Sequence, residues 1–379
     1  MSTIRAIEVF PVRLPMIRGF TFASGSAGRA GDGAPHVLVR VTDDQGRIGW
    51  GEGRPVPSWS YETLESVATT LRRYLGPAVI GCEVSDRIGL HRRMHAVIGR
   101  GPSTGQPLAK AALDMAVHDL AAKAANLPLR AYVGGSAAPR TMPLSFTVTA
   151  HDPAAARDEV AAARDAGFAH FNFKAAVDPA SDVAVAKAVR DAAGDAAFVW
   201  ADANQGYTLH AARLAAHGFL DAGVNVLEQP LPADQIGLMR ELRRAVTLPL
   251  AVDEATVSPG DFFTYAAEGL VDYLVVKVTR SGGLWPSLQQ IAVAHAAGLP
   301  LLVSGLTDGL LTKLAVLQLT AAFGYDGPAA LNGSQFTDES ALFPRKADLE
   351  HRGHVALPDT PGIGVEPDLH ALQQLRVSL

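Results

Sequence analysis

The sequence predicts a (β/α) barrel of the TIM type, preceded by an α+β capping domain, and three observations support this fold class. The first part of the chain, to about residue 135, carries strand patterns followed by helix patterns, which is typical of an α+β unit. From residue 141 onward, short apolar runs recur at intervals of roughly 23 to 29 residues, and Ala-rich helical stretches fill the intervals. The chain has 379 residues, of which 48% are hydrophobic, so it is long enough for a barrel and an accessory domain.

The capping domain is predicted from alternating patterns and from helix-stop signals. Three strands are expected at Ile4–Leu14, His36–Thr42 and Arg47–Glu52. Helical patterns follow at Thr63–Tyr74 and Lys110–Ala125, and the second pattern ends at an Asn-Leu-Pro stop signal. We therefore expect the cap to occupy residues 1–138.

Eight apolar runs predict the strands of the barrel. They are Leu144–Val148, His170–Lys174, Phe198–Asp202, Val224–Glu228, Leu250–Asp253, Tyr273–Lys277, Pro300–Ser304 and Ala329–Gly333. Continuous rather than alternating apolar runs are typical of parallel strands that are covered on both faces. A doubly wound sheet fits less well, because no Gly-x-Gly-x-x-Gly follows any of these strands. We expect the barrel at 139–350 and a C-terminal segment, 351–379, that returns to the cap.

Composition excludes several classes of partner and compartment. The formal net charge of −5 and the pI near 6.2 argue against nucleic-acid or anionic-membrane partners, both of which require a basic surface. The single cysteine, Cys82, cannot form an internal disulfide. No apolar run reaches the roughly 18 residues that span a bilayer, and the N-terminus lacks the core of a signal peptide. We expect a soluble, cytoplasmic protein.

Three carboxylates end consecutive predicted strands: Asp202 on strand 3, Glu228 on strand 4 and Asp253 on strand 5. The carboxyl ends of barrel strands form the active site, so these groups are expected to face one space. Buried carboxylates repel one another, and a hard divalent cation relieves this repulsion; Mg²⁺ fits best. The alternative for each acid alone is that it caps a helix or pairs with an arginine.

Two lysines are expected on either side of the three acids. The chain has only 7 lysines among its 33 basic residues, yet Lys174 and Lys277 each end an apolar run, on strands 2 and 6. A partly desolvated lysine near a cation has a lowered pKa, so its neutral amine can act as a base. Two facing amines could serve both faces of one carbon. The alternative is that each lysine only neutralises the acids.

This layout resembles the enolase superfamily and, within it, the muconate-lactonizing-enzyme subgroup of the mandelate racemase relatives. The resemblance covers nearly the whole chain and rests on the order of several motifs. They are Trp50-Gly51-Glu52-Gly53, the helix segment Ala112-Leu113-Asp114-Met115-Ala116-Val117-His118-Asp119-Leu120, Asp202-Ala203-Asn204, Glu228-Gln229-Pro230, Asp253-Glu254, Lys277 and Pro361-Gly362-Ile363-Gly364-Val365.

The resemblance implies a Mg²⁺-dependent enzyme in which a lysine removes the α-proton of a bound carboxylate to form an enolate. It also implies a homo-oligomer, and it makes Asn204 and Glu254 expected partners of the metal ligands. The chain departs from the family pattern at strand 2, where Asn172 replaces the first lysine of the usual Lys-x-Lys. Strand 7 has no histidine, unlike the racemases and sugar-acid dehydratases, and strand 8 lacks the Asp-x-Asp of amino-acid epimerases.

The substrate is expected to contact aromatic residues of the cap. These candidates are Phe20, Phe22, Trp59 and Tyr61 of the cap, together with Phe336 and Asp308 of the barrel. Aromatic faces attract cations, which favours a small amino acid of the proline or hydroxyproline type; ordinary packing is the alternative. The predicted activity is a racemase, epimerase or dehydratase. Muconate-type cycloisomerase and sugar-acid dehydratase remain alternatives, as do a pyridoxal-phosphate enzyme and a non-catalytic barrel protein.

Overall fold

The predicted fold class is confirmed by the computed structural model, which describes residues 2–23, 25–101, 103–135 and 139–379. An eight-stranded parallel barrel carries a cap built from an antiparallel sheet and helices. The expected boundary between cap and barrel, at 138/139, adjoins residues 136–138, which lie outside the described residues. The division into three domains therefore stays a prediction.

The cap contains a three-stranded antiparallel sheet in the order β1-β4-β5 and a small hairpin. The strands are β1 (Ile4–Pro15), β2 (Thr21–Phe22), β3 (Gly25–Ser26), β4 (Gly33–Asp43) and β5 (Ile48–Gly53). The helices are α1 (Pro57–Ser60), α2 (Leu64–Thr70) with a π-helical continuation (Leu71–Leu75), α3 (Gly76–Val79), α4 (Arg87–Val97), α5 (Pro107–Ala124) and α6 (Leu129–Tyr132). All three predicted cap strands are present with similar bounds.

The barrel strands follow one another around a ring. They are β7 (Ser145–Val148), β8 (His170–Lys174), β9 (Val199–Asp202), β10 (Val226–Glu228), β11 (Leu250–Val252), β12 (Tyr273–Val276), β13 (Leu301–Ser304) and β14 (Ala329–Ala330). Every neighbouring pair is parallel, and a parallel bridge between Leu144 and Ala329 joins the last strand to the first. Trp200 and five aliphatic residues fill the interior of the ring. The barrel therefore has a packed centre, and the site lies at one end of it.

A helix layer covers the outside of the barrel. Its members are α7 (Pro153–Asp165), α8 (Pro179–Ala193), α9 (Leu209–Asp221), α10 (Ile236–Ala245), α11 (Pro259–Ala267), α12 (Val278–Ser281), α13 (Leu284–Ala297) and α14 (Leu310–Ala322). Asp152, Asp178, Thr208 and Ser258 cap the first turns of four of them, because each side chain accepts a backbone N–H bond. None of the described helices is both long and apolar enough to cross a bilayer.

The C-terminal part of the chain runs back along the barrel to the cap. It contains a 3₁₀ turn (Gly333–Gln335), α15 (Lys346–Leu349), β15 (Glu350–His351), β16 (His354–Ala356) and α16 (Leu369–Gln374). The strand β16 pairs with β6 (Thr141–Pro143), directly before the barrel. Farther on, Arg376 forms a bridge with Val12 of the cap sheet.

Helix α5 contains the motif segment Ala112–Leu120, and it forms hydrogen bonds with the cap sheet, the barrel and the C-terminal tail. The buried Asp114 accepts the backbone N–H of Leu284, where α13 of the barrel begins. One turn later, Asp119 accepts the N–H of Trp50 in the cap sheet at 2.8 Å and that of Ile363 in the tail at 2.6 Å. These backbone amides would otherwise be buried without partners, so the two aspartates stabilise the assembly of cap, barrel and tail.

The glycines of the Trp50-Gly51-Glu52-Gly53 motif allow β5 to approach α5 closely. A Cβ added at Gly51 would lie 2.0 Å from the carbonyl oxygen of Ala112 and 2.7 Å from the amide nitrogen of Ala116. Between these glycines, Glu52 accepts the N–H of Thr312 at 3.2 Å, at the start of α14. The motif thus serves close packing and helix capping.

We expect Gly51→Ala to destabilise the protein by about 3 kcal/mol, because the added methyl group meets backbone atoms that cannot rotate away. The measurement is the midpoint of thermal or urea unfolding. Gly237→Ala in α10 is the matched control, since nothing lies within 4 Å of its added Cβ. An unfolding midpoint for Gly51→Ala equal to that of the control would contradict this account of the motif.

Candidate active site

Five buried charged side chains meet at the carboxyl ends of strands β8 to β12. They are Lys174, Asp202, Glu228, Asp253 and Lys277. Lys174 pairs with Asp202 in the β8–β9 register, and Asp202 pairs with Glu228 in the β9–β10 register. Asp253 follows β11. It lies two residues after Ala251, which pairs with Glu228 in the β10–β11 register. Because the strands are parallel and adjacent, residues far apart in sequence lie side by side at one rim.

Each lysine is paired with the nearest carboxylate. Lys174 Nζ donates to Asp202 Oδ2 at 2.7 Å and to Asn204 Oδ1 at 3.0 Å. Lys277 Nζ donates to Asp253 Oδ2. The structure therefore brings together all the predicted acids and bases of the site.

Glu228 lies between the other two acids, because its strand β10 pairs with both β9 and β11. Its Oε2 accepts the indole N–H of Trp200 at 3.0 Å, whereas its Oε1 has no hydrogen-bond partner among the described residues. Burial, together with repulsion from Asp202 and Asp253, holds the pKa of Glu228 well above its usual value. Among the described residues, no basic side chain forms an ion pair with Glu228, although Lys174 and Lys277 partly offset the repulsion.

Arg280 is a member of the site that the sequence analysis did not predict. It is buried in helix α12, and its Nε lies 3.0 Å from Asp253 Oδ1. Burial alone would raise the pKa of Asp253, but Arg280 and Lys277 hold it below its usual value. A basic residue three positions after Lys277 was the available signal, because one turn of helix places it beside the end of the same strand.

The pKa of Lys277 in this structure depends on its acidic neighbours as well as on burial. Burial lowers it, as expected, but Asp253, Glu228 and Glu254 outweigh burial and hold the pKa above its usual value. In this arrangement the amine is protonated.

Asp202, Glu228 and Asp253 form a set of oxygen donors of the kind that binds Mg²⁺. In the part of the chain that the structure describes, no three His, Cys, Asp or Glu side chains converge closely enough to hold an ion as they stand. Asp202 and Asp253 instead bond the lysines, and Glu228 keeps one oxygen without a partner. Three buried carboxylates on adjacent strands are the oxygen ligands that Mg²⁺ prefers, so these residues fit the ion once the two lysine pairs open.

The expected partners of the acids are arranged around them. Asn204 bridges two charged groups, since its Oδ1 accepts from Lys174 and its Nδ2 donates to Glu254 at 3.2 Å. Burial and the neighbouring Asp253 raise the pKa of Glu254. Asn172, the substitute for a lysine, has its Oδ1 occupied by the hydroxyls of Ser145 and Thr147, at 3.1 and 3.0 Å. Only its amide nitrogen is left to face other groups.

Trp59 of the cap lies against both lysines. Its ring centroid is 5.0 Å from Lys174 Nζ and 5.1 Å from Lys277 Nζ, so the two amines are no more than about 10 Å apart. The indole N–H donates to Glu254 Oε1 at 3.4 Å. The cap residue therefore occupies space next to both amines.

The other predicted aromatic residues differ in their placement. Phe20 and Phe22 join Trp59 in one buried cluster, with centroid distances of 6.3 and 4.9 Å to its ring. Phe336 is fully buried behind Phe20, at 4.6 Å. Tyr61 is 59% exposed and lies outside this cluster.

Asp308 follows β13, the seventh strand of the barrel, and lies near enough to Lys277 for their charges to interact. Its Oδ2 accepts the N–H of Leu306 at 2.8 Å, and its Oδ1 has no partner among the described residues. Burial raises the pKa of Asp308 to about 6, and Arg54 and Lys277 oppose this effect. Asp308 therefore has a free acceptor oxygen on the Lys277 side of the site.

Comparison with known proteins assigns both parts of the chain. Residues 6–134 match the N-terminal domain of the mandelate racemase / muconate lactonizing enzyme family, and residues 155–371 match the enolase C-terminal domain-like family. The chain is 30% identical over 381 residues to muconate cycloisomerase 1 of Rhodococcus opacus, with 98% of each chain covered. It is 28% identical over 380 residues to the N-succinyl-L-Arg/Lys racemase of Bacillus cereus, with 99% of this chain and 98% of the relative covered.

A solved structure with the same architecture is that of the muconate lactonizing enzyme from Pseudomonas fluorescens, complexed with muconolactone. It superposes with a TM-score of 0.89 at 25% identity and covers 99% of this chain and 100% of that chain. Racemases and cycloisomerases of this superfamily share an α-proton abstraction chemistry that depends on Mg²⁺, and this chain is an enzyme of the same kind. It belongs to the mandelate racemase / muconate lactonizing enzyme family of the enolase superfamily.

Proposed function

We propose that the enzyme is a racemase or epimerase that acts on a small amino-acid carboxylate of the proline or hydroxyproline type. Dehydration is the outcome that we propose for a substrate that carries a leaving hydroxyl on the β-carbon. Lys174 and Lys277 are the proposed catalytic residues, and Asp202, Glu228 and Asp253 are the proposed metal ligands.

The observation that carries this proposal is the placement of two lysine amines against one indole. Lys174 and Lys277 lie at nearly equal distances from the ring of Trp59. Lys174 ends β8 and Lys277 follows β12, and these strands are four positions apart in the eight-stranded ring, so a substrate carbon between them would have an amine on either side. Inversion at carbon requires this arrangement, because the proton leaves from one face and returns to the other.

The two lysines exchange roles between the two directions of the reaction. In one direction neutral Lys174 takes the α-proton while the Lys277 ammonium delivers a proton to the opposite face, and the reverse direction uses the opposite pair. No proton is gained or lost over the cycle. Before either amine can reach the α-carbon, it must leave its ion pair with Asp202 or Asp253.

The ligands proposed for Mg²⁺ lie beside the proton-transfer groups. Bound there, the ion supplies positive charge that stabilises the substrate carboxylate as the α-proton leaves. Trp200 and Arg280 position two of the three ligands through contacts with Glu228 and Asp253. Asn204 and Glu254 hold the opposite side of the group together.

The substrate class follows from the groups that surround the lysines. Phe20, Phe22 and Trp59 present aromatic surface, and Trp59 already contacts two cationic amines. Such a surface favours a compact substrate with a cationic nitrogen. The unpartnered oxygen of Asp308 is the proposed counter-charge for this nitrogen. Phe336 is proposed to support Phe20 from behind, and Tyr61 to border the entrance.

Exchange of the α-proton in deuterated water tests the proposal. We expect Mg²⁺-dependent exchange, followed by NMR, with both enantiomers of proline, with hydroxyprolines or with their N-methylated betaines. Succinylated amino acids and muconate serve as comparison substrates. Exchange with none of the proline-type compounds would reject the substrate class, whereas failure with every carboxylate tested would reject the two-lysine assignment.

Cycloisomerisation is the second candidate, favoured by the 30% identity to a muconate cycloisomerase over 98% of each chain. That reaction needs a lysine on only one face, because the carbon is not inverted. Loss of the ultraviolet absorbance of muconate in the presence of Mg²⁺, without racemisation of amino acids, would favour this candidate over the first.

A further inference from the structure

A cavity lined by basic side chains lies at the interface between cap and barrel, and neither Lys174 nor Lys277 lines it. Its volume is about 370 Å³. Helices α4 and α5 of the cap form one side of it, and α12 and the start of α13 form the other. The cavity is therefore bounded by elements from both parts of the chain.

The lining of this cavity carries only basic charges among the described residues. The basic side chains are His91, Arg92, His95, Arg100 and Lys110, and no aspartate or glutamate lines the cavity. Two acids lie behind the lining, and both are occupied. Asp114 bonds His91 and the start of α13, and Glu62 accepts the first backbone amides of α5. The excess of positive charge is thus not balanced from within the wall.

Lys110 is the most informative residue of this cavity. It is 1% exposed, and its Nζ has three acceptors among the described residues, all of them neutral: His95 Nδ1 at 3.1 Å, the carbonyl of Ile98 at 2.8 Å and the carbonyl of Thr104. Buried ammonium groups are normally paired with an anion, because desolvation of an unpaired charge is costly. Burial and repulsion from Arg100 lower the pKa of Lys110 to about 8.

A second observation is independent of the charges. The hydroxyl of Thr104 lines the cavity, is buried and has no hydrogen-bond partner among the described residues. Buried hydroxyls are nearly always hydrogen-bonded, so this group is available to a ligand. Burial, with repulsion from Lys110 and Arg100, also lowers the pKa of His95 to about 4, which leaves its imidazole neutral.

We propose that this cavity is a binding site for a compact dianionic oxyanion of the phosphate class. Lys110 and Arg100 would supply the charge, Thr104 would donate a hydrogen bond, and Arg92 would close the exposed rim. Arginine and lysine are the usual partners of such oxyanions. The site is separate from the proposed substrate site, whose lysines bond Asp202 and Asp253.

Helix α12 connects the two sites. Ser281 lines the cavity, and its hydroxyl lies 3.2 Å from the carbonyl oxygen of Lys277 and donates to Gln290 at 2.8 Å. An oxyanion on the cavity side would therefore contact the helix that begins directly after Lys277. A phosphate-class ligand in this cavity would therefore stabilise the interface between cap and barrel. It would also stabilise α12, the helix that follows Lys277.

The test is phosphate binding by the intact protein at constant ionic strength, followed by calorimetry and by the thermal unfolding midpoint. We expect saturable binding of inorganic phosphate with a Kd of about 1 mM or lower, a rise in the midpoint, and no effect of chloride. Arg100→Gln is expected to weaken binding at least tenfold, with Arg92→Gln as a second variant. Arg244→Gln, at an exposed position of α10, is the matched control and should bind as the wild type does.

Two comparison ligands identify the source of the oxyanion. Glycerol phosphate binding as tightly as inorganic phosphate would indicate a phosphorylated metabolite, and inorganic phosphate alone would indicate the free ion. The proposal is overturned if phosphate has no more effect than chloride, if succinate replaces phosphate with equal affinity, or if Arg100→Gln and Arg92→Gln both bind phosphate as tightly as Arg244→Gln does.

Discussion

Replacement of Lys277 by alanine is expected to abolish racemisation while α-proton exchange survives for one enantiomer. Removal of one of two bases leaves Lys174 able to take the proton from its own face, but no group remains to return a proton on the other face. We expect racemisation to fall by about 10³-fold. The measurement is deuterium incorporation into each enantiomer separately, together with the change in optical rotation.

Two further variants test the same assignment: Lys174→Ala, which removes the other proposed base, and Lys187→Ala, which removes a surface lysine. Lys174→Ala should preserve exchange for the other enantiomer only. Lys187→Ala removes a lysine from an exposed position of α8 and should leave both exchanges unchanged. Equal exchange of both enantiomers by Lys277→Ala at the wild-type rate would contradict the two-base assignment.

Replacement of Asp253 by asparagine is expected to remove Mg²⁺-dependent activity, by about 10³-fold or more, and to weaken Mg²⁺ binding at least tenfold. The carboxylate is a proposed ligand and also the partner of Lys277 and Arg280. Because breaking a buried ion pair costs about 3–5 kcal/mol, circular dichroism must first establish that the variant is folded. Calorimetric titration with Mg²⁺ then measures the affinity.

Glu228→Gln separates loss of the metal from loss of the fold. Burial and two neighbouring carboxylates oppose the charge of Glu228, so a neutral glutamine should unfold at the same temperature as the wild type or higher. The same variant should bind Mg²⁺ at least tenfold more weakly. Asp165→Asn, at an exposed position of α7, is the control. Wild-type Mg²⁺ affinity in both Asp253→Asn and Glu228→Gln would contradict the proposed ligand set.

The barrel and its charged rim could be predicted because both depend on local patterns. A strand that is covered on both faces must be apolar throughout, so a run such as Phe171–Lys174 is recognisable without its neighbours. A charged residue at the end of such a run lies at the open end of the barrel. Asp202, Glu228 and Lys277 were therefore predictable from their place in the repeat.

Other features of the site were not predictable, because they depend on which side chains face each other. The sequence shows Trp59 and two lysines, but not that one indole lies about 5 Å from both amines. Arg280 was missed, since only the turn of α12 after strand β12 directs it to Asp253. Tyr61 was grouped with the cap aromatics, yet it ends the short helix α1 in a left-handed conformation and remains largely exposed.

The amino-acid sequence alone determined the repeat of strands and helices, the family motifs and the charged groups at the strand ends, because each is encoded within a few neighbouring residues. The tertiary structure decided how these groups are paired. It placed Lys277 against Asp253 and joined cap, barrel and tail through Asp114 and Asp119. It also buried Lys110 among neutral hydrogen-bond acceptors. These properties arise from contacts between distant segments, whose distances and desolvation set the charge of each group.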